Sequence, residues 1–273
     1  MEKIPGVPLR DIQPRLSDTS KTTITREIAS YVVQMRQNCV FHEIGGLYHG
    51  SNAEFIIGPM VSQSMFMNAR RQLIPRNRGP YHHDSDYARA LIDVQIADVH
   101  FLKSMPSNDP NFDECVLKDG PDILHAMEEM IPLIPAIFPR DEKNEPFHTT
   151  LLHPDLSLNN IMVDSNTLKI NGIIDWECTN ASPKWEDTYP QFLAGPEVEE
   201  EPDRVEPGDT DILRNELWEK MQLRRVFDEV AGPLVEEPLA KLKREFIYHV
   251  DIVEMTQVMV ERWIKVTREE IGA

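Results

Sequence analysis

The residues best suited to chemistry lie between positions 153 and 177. His153 is followed by Asp155 two positions later and by Asn160 seven positions later, and Asp175 comes after two short apolar stretches. A carboxylate beside a hydroxyl group can receive or orient its proton. An amide oxygen and a second carboxylate are ligands that suit a hard cation such as Mg²⁺. Together these residue types predict a metal-assisted transfer reaction at a hydroxyl group.

The spacing of these residues is that of the catalytic loop of kinases, H-x-D-x-x-x-x-N, followed by a strand, a turn and a second acidic residue. On this spacing Asp155 is the predicted catalytic base, and Asn160 and Asp175 are the predicted Mg²⁺ ligands. One such residue alone is commonly a turn former or a cap, but three in this order make coincidence much rarer. His153 is expected to be buried and hydrogen bonded rather than an acid–base group.

A short hairpin should position this site, because two apolar stretches at 161–163 and 170–174 flank a polar turn at 164–167. The rest of the chain has mainly helical periodicity, apart from a looser stretch at 39–80 with one strand candidate at 55–57. The predicted fold is therefore mainly α with a small β-hairpin. Helices are predicted at about 17–35, 84–103, 121–132, 211–230 and 239–270.

The charge and hydropathy of the chain argue against two kinds of partner, nucleic acid and membrane. A formal net charge of −18 argues against nucleic acid, since affinity for a phosphate backbone comes largely from Lys and Arg. The longest apolar clusters, such as 131–138, are short and interrupted by proline, so no membrane span is expected. The acidic charge would also suit a cationic substrate, although a solvated acidic surface explains it more simply.

The cysteines and the N-terminus predict a cytoplasmic protein. Cys39, Cys115 and Cys178 are far apart and form no CxxC pair, which fits a reducing compartment. The first residues, MEKIPG, contain neither a secretory apolar stretch nor an Arg- and Ser-rich import signal.

The chain resembles the aminoglycoside phosphotransferase and choline kinase-like superfamily, in particular the fungal phosphotransferase enzymes. The resemblance is carried by the catalytic loop and by IDWE at 174–177, which stands where kinases have DFG. Further similar segments are EKIPG at 2–6, GPY at 79–81 and WED at 185–187. The resemblance implies a protein-kinase-like fold, ATP as the phosphoryl donor, Mg²⁺ as the cofactor and a small-molecule hydroxyl compound as the acceptor.

The resemblance also implies a domain arrangement. EKIPG resembles the hinge that joins the two lobes of such enzymes, so residues 1–16 are predicted to be a hinge-like segment and residues 17–273 a kinase-like C-terminal lobe. No glycine-rich loop, nucleotide-contacting lysine or partner glutamate is found ahead of the hinge, and Gly45-Gly46 lacks the context of a P-loop. An N-terminal lobe is thus expected to be missing, which would leave its interface open to self-association or to a completing partner.

Two further functions were considered. The first is a catalytically inactive, pseudokinase-like C-lobe that acts as a binding or regulatory module and retains its metal residues by descent. The second is a metal hydrolase, suggested by His42-Glu43 with His49, and by His82-His83-Asp84. The zincin motif HExxH needs a histidine where this chain has Gly46, so these histidines are interpreted as loop residues.

Overall fold

The computed structural model describes residues 3–51, 54–66, 77–109, 114–140, 147–198, 212–233, 239–253 and 257–272. Among these residues no helix is long and apolar enough to cross a bilayer. The helices are α1 (Leu9–Ile12), α2 (Asp18–Asn38), α3 (Gln63–Phe66), α4 (Asp84–Ser104), α5 (Glu114–Met130), α6 (Ile134–Ile137), α7 (Ile212–Ala231), α8 (Ala240–Ile252) and α9 (Gln257–Ile271). The strands are β1 (Val7–Pro8), β2 (Val40–Phe41), β3 (Gly45–His49), β4 (Phe55–Gly58), β5 (Thr149–Leu152), β6 (Ile161–Val163), β7 (Ile170–Ile173) and β8 (Asn180–Pro183).

The chain divides into two compact units, each with its own apolar core. The first unit comprises residues 1–39, 151–177 and 187–235, and the second comprises residues 40–150, 178–186 and 236–273. The predicted boundary between residues 16 and 17 falls inside the first unit and stays a prediction. All three predicted site residues belong to the first unit.

The first unit is built on two long helices and a small sheet. Helix α2 begins where the sequence predicts, because Ser17 caps it by accepting a hydrogen bond from the N–H of Ser20 at 3.2 Å. Its buried residues Ile24, Ile28 and Val32 recur every fourth position, which places them on one face. This face and α7 bury the core with the sheet β1-β6-β7, whose strands pair antiparallel.

The hairpin β6–β7 is closed by the side chain of Asp164. Its Oδ1 accepts hydrogen bonds from the N–H of Asn166 at 3.0 Å and from the N–H of Thr167 at 2.7 Å. The backbone bond from Thr167 is the largest cause of the lowered pKa of Asp164. The turn that was predicted at 164–167 is therefore fixed locally, as an Asx turn, by residues of the turn itself.

The second unit contains a five-stranded sheet in the order β2-β5-β8-β3-β4 and the helices α3 to α6, α8 and α9. Helices α4 and α5 contribute much of the buried core, together with aromatic residues such as Phe138, Trp185 and Phe246. Phe138 packs edge-on against both of the other rings, with centroid distances of 5.7 Å to Trp185 and 5.2 Å to Phe246.

The prediction of a mainly helical chain is confirmed, but the expectation of a single small hairpin is wrong. The hairpin at 161–173 is present, and three of the five strands of a second sheet, β2, β3 and β4, lie in the 39–80 stretch that the sequence predicts to be loose. Strand β3 was missed because Gly45 and Gly46 have low strand propensity. The absence of a side chain is what lets the strands meet there, since a Cβ on Gly45 would lie 2.2 Å from the carbonyl oxygen of Gly58.

One helix prediction needs correction. Helix α5 begins at Glu114 and carries Pro121 in its interior, so the interpretation of that proline as a first-turn residue is wrong. The helix predicted over 239–270 is helical in α8 and in α9, and residues 254–256 between them lie outside the described residues, so its continuity stays a prediction.

A buried polar cluster surrounds Trp185 in the second unit. The indole Nε1 donates to Asp84 Oδ2 at 3.0 Å, and Lys243 Nζ donates to the same oxygen at 2.7 Å. Burial raises the pKa of the neighbouring Glu186 to about 7, although hydrogen bonds with Ser182 and Tyr87 act against this rise. The Glu186 carboxyl therefore holds its proton in the folded protein at pH values where an exposed glutamate has lost it.

This raised pKa makes stability fall as the pH rises. Between about pH 4.5 and pH 7 the folded state retains the proton of Glu186 while the unfolded state has released it, so folding is progressively disfavoured across this window. The substitution Glu186→Gln, which keeps the side chain neutral, should remove up to about 3 kcal/mol of this pH dependence. Urea unfolding at several pH values measures it. Glu128→Gln, at an exposed site on α5, should leave the profile unchanged, and equal effects of the two substitutions would contradict the account.

Gly6 supplies a second test, in the first unit. Its φ of +115° disfavours any side chain, and a Cβ would lie 2.4 Å from the carbonyl oxygen of Val163 on β6. Gly6→Ala should lower the free energy of unfolding by about 2 to 4 kcal/mol, from strain and from the forced separation of β1 and β6. Gly232→Ala is the control, because Gly232 also has a positive φ but nothing within 4 Å of the added carbon. An equal shift of the urea midpoint in both variants would show that the close approach at Gly6 does not contribute to the free energy of unfolding.

Candidate active site

The loop between β5 and β6 is held by the side chain of His153. This ring is 5% exposed; its Nδ1 accepts a hydrogen bond from the N–H of Asp155 at 3.2 Å, and its Nε2 lies 3.0 Å from the carbonyl oxygen of Ile174. Because Nδ1 accepts, the ring proton belongs on Nε2, which donates to Ile174. The predicted buried, hydrogen-bonded role of His153 is confirmed.

Asp155 and Asn160 are in direct contact. The amide nitrogen of Asn160 donates to the backbone oxygen of Asp155 at 2.9 Å and to its Oδ2 at 3.0 Å. Asn160 is buried, whereas Asp155 is exposed. The bond from Asn160 therefore orients the Asp155 carboxylate, while the rest of this side chain stays accessible to solvent. With its nitrogen bound to Asp155, the amide oxygen is the end of the Asn160 side chain that can bind a cation.

Asp175 is connected to the same loop through the residue before it. The N–H of Ile174 donates to the carbonyl oxygen of Asn160 at 2.9 Å, and the carbonyl of Ile174 accepts from His153. Asp175 itself is exposed and has a φ of +65°, a left-handed conformation in which Asp and Asn are enriched among residues other than glycine. Backbone strain of this kind is often found at functional sites. The structure thus joins Asp155 and Asn160 directly and ties the chain at Asp175 to both.

Two residues at this site, Trp176 and Arg10, make contacts that could not be found from the sequence. The ring of Trp176 packs edge-on against His153 at a centroid distance of 4.7 Å, and its Nε1 donates to the carbonyl oxygen of Ile173 at 2.8 Å. On the other side of the loop, the backbone N–H of Arg10 donates to Leu158 O at 3.1 Å, and its guanidinium lies 3.3 Å from Asn159 Oδ1. The IDWE motif drew attention to Trp176 but not to its partner. Nothing in the local sequence signals the pairing of Arg10 with a residue 149 positions away.

The donor atoms at this site fit Mg²⁺. An amide oxygen and a carboxylate are hard ligands, and Mg²⁺ is typically held by one or two carboxylates with water and phosphate oxygens completing an octahedron. Within the described ranges, no three His, Cys, Asp or Glu side chains are grouped so that they could hold a metal ion. Asn160 and Asp175 would supply one amide oxygen and one carboxylate to a bound Mg²⁺, so water and phosphate oxygens would have to supply the remaining ligands.

Comparison with known proteins gives a family match over part of the chain. Residues 69–200 match the phosphotransferase enzyme family, and the match includes the loop, the hairpin and Asp175. No curated protein and no solved structure was found to match the chain. The match confirms the resemblance to the aminoglycoside phosphotransferase and protein-kinase-like superfamily, and it makes phosphotransferase the class of function for this segment. The assignment to a fungal group stays a prediction.

The hydrogen bonds of His153 can be tested by His153→Phe, which keeps an aromatic ring against Trp176. The N–H of Asp155 and the carbonyl of Ile174 would then lose their partner, so the free energy of unfolding should fall by about 1 to 3 kcal/mol. Denaturation in urea measures the change. His42→Phe is the matched control, because His42 is exposed and its Nδ1 lies 3.1 Å from the carbonyl oxygen of Phe147. A loss at His153 no larger than the loss at His42 would mean that these bonds do not stabilise the loop.

Proposed function

We propose that this chain carries the catalytic and metal-binding part of an ATP- and Mg²⁺-dependent phosphotransferase that acts on a hydroxyl group of a small molecule. The observation that carries the proposal is the arrangement of Asp155, Asn160 and Ile174-Asp175, within a segment that matches the phosphotransferase enzyme family. In this proposal Asp155 is the catalytic base, and Asn160 and Asp175 are the metal ligands.

The fold proposed for this part is a protein-kinase-like C-terminal lobe. Its support is the order of a catalytic loop, a two-stranded hairpin and an acidic residue at the end of the second strand. The hinge-like role of residues 1–16 is supported by β1, which pairs antiparallel with β6 at Val7↔Val163 and Pro8↔Met162. The N-terminal segment is thereby fixed directly onto the strand that follows Asn160.

The chemistry asked of the protein is mainly positioning. Asp155 would orient the acceptor hydroxyl and receive its proton, and Asn160 keeps that carboxylate in place through the bond of 3.0 Å. Bound Mg²⁺, held by Asn160 and Asp175, would neutralise charge on the phosphate oxygens of the donor. Because Asp155 and Asp175 are exposed, both carboxylates are open to a ligand in solution.

The acceptor is proposed only by chemical class. The proposed role of Asp155 as a base implies that the acceptor carries a hydroxyl group. A cationic acceptor would be favoured by the net charge of −18 and by the exposed carboxylates of Asp155, Asp175 and Glu177. A fold of this kind serves many substrates, so the acceptor is best identified by screening amino alcohols, aminoglycosides and neutral sugars.

Transfer of the terminal phosphoryl group of radiolabelled ATP to such a panel tests the proposal. Asp155→Asn should lower the turnover number by about 100-fold to 10,000-fold, the usual contribution of a general base, while leaving the Kd for MgATP nearly unchanged. The matched control is Asp164→Asn. Asp164 lies in the turn of the β6–β7 hairpin, where its carboxylate accepts hydrogen bonds from the N–H groups of Asn166 and Thr167. This control should keep wild-type turnover.

Two results would contradict the proposal. Full activity in Asp155→Asn would remove the base from its assigned role. Binding of MgATP without transfer to any acceptor, in the wild-type chain, would favour the alternative of a catalytically inactive binding module.

A further inference from the structure

A buried arginine of the first unit is connected to the proposed catalytic loop through an intervening chain segment. Arg224, on α7, is 8% exposed, and its guanidinium donates through Nε to the carbonyl oxygen of Leu193 and through Nη2 to that of Gly195. Both acceptors belong to one stretch of chain, the Gln191–Gly195 segment, which begins with a single 3₁₀ turn at Gln191–Leu193. The planar fork of one arginine therefore fixes two successive parts of this segment.

The Gln191–Gly195 segment is in turn bonded to the catalytic loop. The N–H of Gln191 donates to the carbonyl oxygen of Leu156 at 3.2 Å, and Leu156 directly follows Asp155. Leu193 and Leu156 are both buried in the core of the first unit. Arg224 is thus connected to Leu156, the residue after the proposed base, by hydrogen bonds at the two ends of the segment.

The surroundings of Arg224 keep its guanidinium in one place. Its Cζ lies 5.6 Å from the centre of the Tyr189 ring, within the range of a cation–π contact. The hydroxyl of Tyr189 donates to both carboxylate oxygens of Asp228, at 2.9 and 3.1 Å, and Asp228 lies one turn after Arg224 on α7. Burial, together with the bond to Asp228, raises the pKa of Tyr189 to about 12, so the phenol remains a donor at neutral pH.

Burial of the Arg224 cation is costly. Removing a guanidinium from water carries a desolvation penalty that an apolar side chain of similar length would not. The guanidinium donates to two backbone carbonyls of the Gln191–Gly195 segment, and hydrogen bonds of this kind offset part of the penalty. Each bond requires one carbonyl of the segment to stay in place, so the arginine orders the segment.

We propose that Arg224 is a positioning residue that sets the conformation of the loop around Asp155 through the Gln191–Gly195 segment. This inference rests on the proposed function for the meaning of the loop, but the mechanical connection can be measured without any activity.

The test is amide hydrogen exchange on the full chain, read in segments by mass spectrometry. Arg224→Met should raise exchange about tenfold or more at 187–198 and at 151–160, because two carbonyl bonds are lost and the bond from Gln191 to Leu156 loses its support. Strands β3 and β4 of the second unit should exchange as in the wild type. Arg224→Lys should restore part of the protection at 187–198, since lysine can still donate to a carbonyl.

The matched control is Arg225→Met on the same helix. Arg225 is exposed, and its Nη1 lies 3.4 Å from Gln222 Oε1, within its own helix. Its replacement should leave exchange unchanged in both segments. Tyr189→Phe is a milder second variant that keeps the ring beside Arg224 and removes only the bonds to Asp228, so it should have a smaller effect than Arg224→Met.

Exchange decides the proposal whether or not the chain is active. Unchanged exchange at 151–160 in Arg224→Met would overturn the proposal. A uniform rise over all segments that Arg224→Lys does not reverse would also overturn it, since a purely structural role gives that result.

Where transfer is measurable, Arg224→Met should lower the turnover number about tenfold or more with the Kd for MgATP unchanged within about twofold. Absence of transfer in the wild-type chain, with the local exchange effect present, would refute the proposed function while leaving the positioning role established.

Discussion

The site depends on the double use of one residue, Ile174, whose two backbone polar groups both bond to the loop that carries Asp155 and Asn160. Its N–H donates to Asn160 O at 2.9 Å, and its carbonyl accepts from His153 Nε2 at 3.0 Å. Through His153 the same connection reaches the N–H of Asp155. Since Ile174 directly follows β7, the loop, the strand and the chain at Asp175 share one set of backbone bonds. A change in any of these partners should therefore disturb all three site residues together.

This constraint explains why so little of the site is made by direct contact between side chains. The bond between Asn160 and Asp155 is the one direct pairing that the structure gives among the three, and the rest is imposed by backbone. Backbone connections hold positions without occupying the carboxylates, so Asp155 and Asp175 stay exposed. Such an arrangement suits phosphoryl transfer, in which the protein contributes alignment and charge neutralisation more than covalent chemistry.

The sequence predicts the parts of this protein that depend on local interactions. Helix α2 has a serine cap and a regular apolar period, and the hairpin turn is closed by Asp164 within itself, so both were predicted within a few residues. Strand β3 could not be predicted from its own residues. Its glycine at position 45 is needed because the backbone of β4 lies too close for a side chain, and the position of β4 is not encoded in the sequence of β3. The spacing of polar residues indicated Asp155, Asn160 and Asp175. The partners that hold them, Trp176, Arg10 and the Gln191–Gly195 segment, are fixed by tertiary contacts that leave no local pattern.

In the proposed site, Asp175 and Asn160 bind a metal ion together with a nucleotide. Isothermal titration of the purified chain with ATP, in the presence and absence of Mg²⁺, measures this binding. Asp175→Asn is the informative variant, since asparagine accepts the left-handed backbone at this position but carries no charge. We expect Mg²⁺-dependent binding to the wild-type chain and a loss of at least about tenfold in affinity, or about 1.4 kcal/mol, in the variant. Equal affinity in both proteins, or no binding at millimolar nucleotide, would show that Asp175 and Asn160 do not form such a site.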